Sequence, residues 1–396
     1  MKFTAQVKDL QDCFQKVIPA VSPRPAFDLL ELFSLELIGN DLTVIASDLE
    51  LTIKARLVVQ GEDDGGILIN ATTINNIIKG LPSDRDIVFE VSPEDFNVVL
   101  KSGKTTFEIQ GMDIEEYIDL PDIIKKDPPN AGEENTIFLK QGLIKKIADK
   151  TYFAISKHGY RANMCGMLIQ FRDTYLNSVS TDSVRLVRYT HFGEGEQKFP
   201  ENLDLLIPEK AVEVFRKIDA DVNMCYEFSK SKKEESAKEK PNMLRIDYDN
   251  TTLSTKLIKE TFPAYEKIIP VSDSCNATFD ISAFIEASKT VRPVVNKETK
   301  LCKLEFTKDM LQLVADDSDK NRKGISEVQC ELDGAEDFSI AFDIDFLTEM
   351  VGNISSNETT NNLVGIHFLD ANKAALIKPK SDVNQILQIL MPKRIG

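Results

Sequence analysis

The sequence predicts an α+β protein made of three similar domains, each built from two strand-helix-strands halves. Three observations predict it. A short strand running into an amphipathic helix opens three stretches: MKFTAQVKDLQDCFQKV from residue 1, TIFLKQGLIKKIADKTYFAI from 136 and TFDISAFIEASKTV from 278. Each is followed by strands that alternate with period two around a turn, at 32–47, 166–180 and 302–315. A second strand and helix then recur at 67–82, 205–218 and 339–354, where Ile74, Val212 and Leu347 align at offsets of 138 and 135 residues. A period of that length is a domain rather than a solenoid unit.

The opening helices carry apolar residues at spacings of three and four, such as Leu143, Ile144 and Ile147, or Phe284, Ile285 and Ala287, which turns one stripe toward a core. The hairpin tips are expected at Gly39-Asn40-Asp41, Arg172-Asp173 and Lys308-Asp309. In the second helices Ile77, Phe215 and Met350 lie three residues beyond the aligned positions and continue the buried stripe. Further strands close each domain, as at 86–110. Proline, glycine and charge at 120–135, and two prolines within 262–276, mark boundaries. The domains are therefore expected at 1–122, 134–262 and 275–396. The stretch KSKKEESAKEKPN (230–242) has no apolar residue beyond Ala237 and reads as a solvated loop between strands.

A chain of 396 residues exceeds what one core usually organises, and its 42% hydrophobic content is spread along its whole length. The first ten residues carry Lys2, Lys8 and Asp9, with no apolar block of a secretory signal, and no run approaches a bilayer span. A cytoplasmic protein is expected. The six cysteines, Cys13, Cys165, Cys225, Cys275, Cys302 and Cys330, lie far apart with no CxxC spacing, so they read as small hydrophobes. His158, His191 and His367 share no spacing, and phosphate-loop, dinucleotide and zinc-protease motifs are missing. Neither metal nor cofactor is expected.

Four short signatures, MKFT at the start, SPRPAFDLLELF at 22–33, STDSVRLV at 180–187 and ILMPKRI at 389–395, occur in order. With the threefold repeat they make the whole chain resemble the β subunit of bacterial DNA polymerase III, the sliding clamp family. The resemblance implies the DNA-clamp fold, with helices inside and sheets outside a ring that two protomers close head to tail. It implies a non-catalytic processivity factor, nucleoid-associated in the bacterial cytoplasm, that encircles duplex DNA without reading its sequence. The implied partners are a second copy, the replicative polymerase catalytic subunit, the clamp loader and other repair and replication proteins.

An acidic chain of net charge −16 is repelled by nucleic acid unless its basic groups are segregated. The six segments expected to form helices carry a net +4, which leaves −20 elsewhere. The DNA-binding candidates are Arg24, Lys140, Lys145, Lys146, Lys150, Lys157, Lys210 and Lys217. Few phosphate contacts mean weak, salt-sensitive affinity and easy sliding. The family often has an arginine where Thr72 stands, and the last helix is acidic, which weighs against DNA contact from those two places.

The resemblance also implies a groove for short partner peptides, formed by Met164, Thr181, Ser183, Val184, Arg185, Leu186, Pro263, Lys267, Ile268, Asn372, Ala374, Ile389, Met391, Pro392, Lys393, Arg394 and Ile395. Independently, the tail ILMPKRI is more apolar than chain ends usually are. Here the family's common Gly-His is replaced by Ser183-Val184, and a larger apolar residue by Asn372, so the pocket floor and the partner motif are expected to differ. Dimer closure is expected to use Ile74, Ile78, Phe107 and Ile109 against Thr290 and Val291.

Two other functions compete with this one. An enzyme would rest on Asp182 and Asp48, but these recur with Asp316 after a strand in every repeat, which favours carboxylates bonding nearby backbone N–H groups. A peptide-binding scaffold that never encloses DNA would share the groove and lack topological retention on circular DNA.

Overall fold

The computed structural model describes residues 1–22, 24–126, 135–157, 159–193, 195, 198–228, 240–270, 275–334, 337–354, 361–380 and 385–394. Ile395, His158 and most of the charged stretch 230–242 lie outside the described residues.

The chain opens with β1 (Lys2–Gln6), α1 (Val7–Val17), β2 (Leu32–Ile38), β3 (Asp41–Ser47), β4 (Leu51–Val58) and β5 (Gln60–Asp63). Next come β6 (Gly65–Asn70), α2 (Ala71–Gly80), β7 (Asp86–Val91), β8 (Asn97–Ser102), β9 (Thr105–Gln110) and the short α3 (Asp122–Lys125). The middle holds β10 (Thr136–Leu139), α4 (Leu143–Thr151), β11 (Gly166–Arg172), β12 (Tyr175–Thr181) and β13 (Arg185–Phe192). It continues with β14 (Leu203–Pro208), α5 (Glu209–Phe215), β15 (Val222–Phe228), β16 (Pro241–Tyr248) and β17 (Thr251–Lys256). The last third has β18 (Cys275–Asp280), α6 (Ile281–Val291), β19 (Leu301–Phe306), β20 (Met310–Asp317) and β21 (Arg322–Asp333). It ends with β22 (Phe338–Asp343), α7 (Ile344–Gly352), β23 (Leu363–Phe368), β24 (Ala375–Pro379) and β25 (Ile386–Leu390). The expected strand-helix opening thus appears six times among the described residues, at β1-α1, β6-α2, β10-α4, β14-α5, β18-α6 and β22-α7.

Local chemistry explains why strand passes into helix at these points. Asn70, Asp280 and Asp343 sit at the N-caps of α2, α6 and α7, where each side chain accepts a backbone N–H from the first turn. The aligned residues Ile74, Val212 and Leu347 are fully buried, as are Phe215 and Met350. The Lys308-Asp309 tip matches; the first tip is Gly39-Asn40 alone, because Asp41 pairs with Ile38, and the β11–β12 tip shifts by one, because Arg172 still pairs with Tyr175.

The chain forms two compact units, residues 1–146 with 210–259, and 147–209 with 260–396. In the first, a five-stranded sheet runs β5-β1-β7-β8-β9 and an eight-stranded sheet runs β10-β15-β16-β17-β4-β3-β2-β6. Phe3 stacks on Phe89 at 4.9 Å and Phe14 packs on Phe33 at 5.3 Å. In the eight-stranded sheet β17 pairs antiparallel with β4, Leu253 opposite Ile53, both fully buried. The second unit has one twelve-stranded sheet, β14-β11-β12-β13-β25-β24-β23-β18-β21-β20-β19-β22. There β25 pairs antiparallel with β13, Leu390 opposite Arg185.

The cysteine expectation holds where the chain is tightest. Cys13, Cys275, Cys302 and Cys330 are buried, and burial pushes the Cys13 and Cys302 thiols up to about 12. Cys165 and Cys225 are only half-buried.

One buried charge pair pins the segment that follows the first five-stranded sheet. Arg245, 2% exposed, donates to both Asp247 carboxylate oxygens at 2.7 and 2.8 Å and to the Ile123 and Lys126 carbonyls at 2.7 and 2.9 Å. Removing the guanidinium strands a buried carboxylate and two carbonyls. Arg245→Met should therefore destabilise the first unit by about 3 kcal/mol, seen as an earlier urea transition by circular dichroism.

Candidate functional site

The turn after β12 carries Ser183 and Val184 of the expected groove residues, between Thr181 and Arg185, and its shape is set by one carboxylate. Asp182 Oδ1 accepts the N–H groups of Val184 (3.0 Å) and Arg185 (2.7 Å), while Asp182 N–H donates to the Arg185 carbonyl. The turn after β3 repeats this geometry: Asp48 Oδ1 accepts from Glu50 (3.0 Å) and Leu51 (2.7 Å). The backbone role expected for these aspartates is thus present in two copies. The third copy differs, because Asp316 instead accepts the Ser318 hydroxyl and the chain makes a longer 318–320 turn with Asn321 left-handed.

Both tight turns force a residue with a side chain into the left-handed region, Leu49 at φ 74° and Ser183 at φ 76°. That conformation suits glycine. The glycine that the resemblance implies at the position of Ser183 would take this conformation without strain.

β25 brings the tail beside this turn. Leu186 faces Ile389, Arg185 faces Leu390, and the N–H of Met391 donates to the Val184 carbonyl at 2.9 Å. On the other side of β25, Ala375 and Leu376 of β24 pair with Leu390 and Ile389, so Ala374 leads directly into this neighbourhood. Lys393 then crosses to β22: its N–H donates to the Ala341 carbonyl at 2.7 Å, and its ammonium binds Asp343 at 3.0 Å and the Thr299 carbonyl. Met164 lies in the turn preceding β11. The segment carrying Pro263, Lys267 and Ile268 is fastened nearby, since the Asn163 amide donates to the Thr261 carbonyl and the Tyr265 hydroxyl to Gln170 of β11.

Burial divides the expected groove residues into floor and lips. Thr181, Leu186, Ile389 and Met164 are buried, whereas Val184, Ile268 and Met391 are exposed apolar side chains, 37%, 55% and 43% accessible. Ser183, Lys267, Asn372 and Arg394 are exposed, and Pro263, Ala374, Pro392 and Lys393 are intermediate. Asn372 sits in a turn where its N–H donates to Asp370.

Arg185 points inward. It donates to Asp182 (2.9 Å), to Glu349 of α7 (2.6 Å) and to the Phe153 carbonyl (2.8 Å), and it lies 4.0 Å from the Phe346 ring centre. Glu349, Asp343, Phe153 and Phe346 lie outside the expected groove residues, and Asp182, a turn former within the STD signature, joins them here. The signal for α7 in the sequence is its acidity, which weighs against DNA contact and equally marks carboxylates that need cationic partners.

The cationic candidates are exposed or half-buried, and several already hold internal partners. Lys210 binds Asp48, and Lys150 donates to the Asn353 carbonyl, whose own side-chain amide returns a bond to the Lys150 carbonyl. Lys157 binds Glu209 and the Tyr152 hydroxyl. Desolvation alone lowers its pKa, but those bonds and the Glu209 charge outweigh it and raise the value, so the cation is retained. On α4, Leu143, Ile144, Ile147 and Ala148 are buried while Lys145 and Lys146 lie toward solvent. Of the interface candidates, Ile74, Ile78 and Val291 are at most 1% exposed and belong to local cores. Phe107 and Ile109 are half-buried on β9, and Thr290 is exposed.

These features meet known proteins at every point of the chain. Family models of the DNA polymerase III beta subunit match with the N-terminal domain at residues 1–121, the central domain at 138–264 and the C-terminal domain at 266–394. The chain belongs to the DNA polymerase III beta subunit family. The beta sliding clamps of Pseudomonas aeruginosa and Caulobacter vibrioides are 22% and 23% identical to it, each aligned over 100% of both chains. Among solved structures, a DnaN sliding clamp from Pseudomonas aeruginosa bound to griselimycin superposes with a TM-score of 0.83 at 22% identity. The DNA polymerase III beta subunit of Thermotoga maritima superposes with a TM-score of 0.85 at 20% identity, and both structures cover 100% of each chain. This chain is a DNA sliding clamp, a processivity factor of the replicative polymerase without catalytic activity of its own. Among the described residues no helix is long and apolar enough to cross a membrane.

The strained turn yields a direct test. Ser183→Gly relieves the left-handed conformation and should stabilise the folded protein by about 1 kcal/mol, measured as a higher melting temperature, whereas Ser183→Val should lower it.

Proposed function

We propose that two copies of this chain close into the family's ring around duplex DNA, and that the ring holds its polymerase through the groove at 183–186 and 389–394. For this the chain divides into domains at 1–122, 134–262 and 275–396, a division supported by the three matched segments. The protein would work in the bacterial cytoplasm, associated with the nucleoid.

One observation carries the dimer: two of three equivalent sheet edges are covered within the chain. In the first unit β17 covers β4, and in the second β25 covers β13. The strand equivalent to β17 and β25 in the first domain is β9, which ends its sheet. The strand equivalent to β4 and β13 in the last domain is β21, whose first half pairs only with β20 among the described residues. Unpaired edges of this kind attract another strand.

The internal copies also give the register. Ala315 faces Gly324 where Ser47 faces Thr52 and Thr181 faces Leu186, so Ile325 corresponds to Ile53 and Val187. Thr105 follows its turn as Thr251 does, so Phe107 corresponds to Leu253. Since Leu253 faces Ile53, Phe107 of one copy should face Ile325 of the other. Ile325 is 52% exposed on this edge of β21. The interface therefore centres on Phe107, Ile109 and Ile325, with Thr290 near its rim.

Toward DNA, Arg24, Lys140, Lys145, Lys146, Lys150, Lys157, Lys210 and Lys217 would supply shallow phosphate contacts. Lys157 and Lys210 keep internal carboxylates, which lowers the cation available to phosphate and favours sliding over gripping. Retention then comes from enclosure.

Two measurements test these statements. Sedimentation should give twice the chain mass for the unsubstituted protein, and Phe107→Asp or Ile325→Asp should weaken the dimer by on the order of 100-fold or more, because each buries an unpaired carboxylate. Clamp loaded onto a nicked circle should stay bound until the circle is cut to a linear form; equal retention on linear DNA would refute enclosure.

A further inference from the structure

The acidic character of α7 is unexplained by DNA enclosure, since three carboxylates, Asp343, Asp345 and Glu349, lie at or within it. Each of them is met by a cation from elsewhere in the second unit. Glu349 binds Arg185 in the turn that forms one lip of the groove, and the same guanidinium lies over Phe346. Asp343 binds Lys393 in the tail that forms the other lip. A third tie joins α7 to the tail strand, where the Gln388 side-chain amide, fully buried, donates to the Met350 carbonyl at 2.9 Å. Asp345 differs: its partners are Arg292 and Lys300, neither of which belongs to the groove.

We propose that α7 is the shared buttress of the two groove lips, and that Glu349 and Asp343 are positioning residues for partner-peptide binding although neither touches the peptide. This rests on the groove at 183–186 and 389–394. The physical case is one of order before binding. The lips present exposed Val184 and Met391, and a partner that must first immobilise them loses part of its affinity to that ordering. Arg185 has its Asp182 and Phe153 bonds on one side and Glu349 on the other, so the turn is held from two directions. Beyond Leu390 the tail has left its strand pairing, and the Lys393 contacts to Asp343, Ala341 and Thr299 hold it against the body of the unit. Without the carboxylates both lips sample more positions.

Conservative variants separate positioning from folding. Asp343→Asn removes the charge facing Lys393 but leaves a side chain that caps α7 as well as aspartate does. Glu349→Gln keeps an acceptor at the half-exposed rim of Arg185. Asp345→Asn, on the same helix with the same charge change, is the control. Binding is measured by surface plasmon resonance of the full-length clamp against the catalytic subunit of its own replicative polymerase, with thermal melting in parallel.

The expected result is a roughly three- to tenfold loss of affinity for Asp343→Asn and for Glu349→Gln, with Asp345→Asn unchanged. The gap from the unsubstituted clamp should narrow in about 1 M salt for Glu349→Gln, whose carboxylate is half-exposed, and less for Asp343→Asn, whose carboxylate is buried, a difference that lost folding stability would not produce. Equal affinities for all four proteins, or an equal loss in Asp345→Asn, would overturn the proposal while leaving the groove intact. Failure of the unsubstituted clamp to bind the polymerase subunit would remove the groove and the buttress together.

Discussion

A sheet edge is a row of unpaired backbone donors and acceptors, and most of this architecture follows from covering such edges. β17 on β4 and β25 on β13 do so in the two compact units, and both pairings end at the same kind of turn. Where the strand runs past its partner, one further bond is made: Lys256 N–H to the Glu50 carbonyl in one copy, Met391 N–H to the Val184 carbonyl in the other. The proposed groove lips therefore begin where edge pairing stops. Their position is inherited from backbone hydrogen bonding before any side chain contributes.

Side-chain electrostatics then acts on a prepared frame. The acidic total of the chain looks hostile to DNA until the carboxylates are followed to their partners. Asp48 and Glu209 are met by lysines, and Glu349, Asp343 and Asp345 by an arginine or lysine apiece at least. These carboxylates serve as internal fastening, while the net charge of −16, which already counts their cationic partners, stays with the rest of the chain.

The repeat and its elements were legible because they are local. Period-two strands, helices with a buried stripe at Ile74, Val212 and Leu347, and caps at Asn70, Asp280 and Asp343 all declare themselves within a few residues. What stayed hidden is nonlocal. Arg185 looks like an available cation in STDSVRLV, yet its partner Glu349 lies 164 residues away. Lys210 looks equally available, and Asp48 lies 162 residues away. Ile74, Ile78 and Val291 looked like contact surface because an apolar helix residue carries no mark of whether it faces a core or a neighbour. Ile325 went unnoticed for the same reason, since only its exposure sets it apart.

The twin turns at 48–51 and 182–185 have one backbone and two chemistries. Leu49-Glu50-Leu51 occupies the frame that Ser183-Val184-Arg185 occupies elsewhere, with main-chain bonds of matching length. Those bonds belong to the aspartate and the peptide groups, so both turns keep one backbone path although the residues after each aspartate differ. Duplication of such a module supplies a spare: one copy can stay a plain connector while its sibling acquires a clientele, and the change requires new side chains but no new architecture.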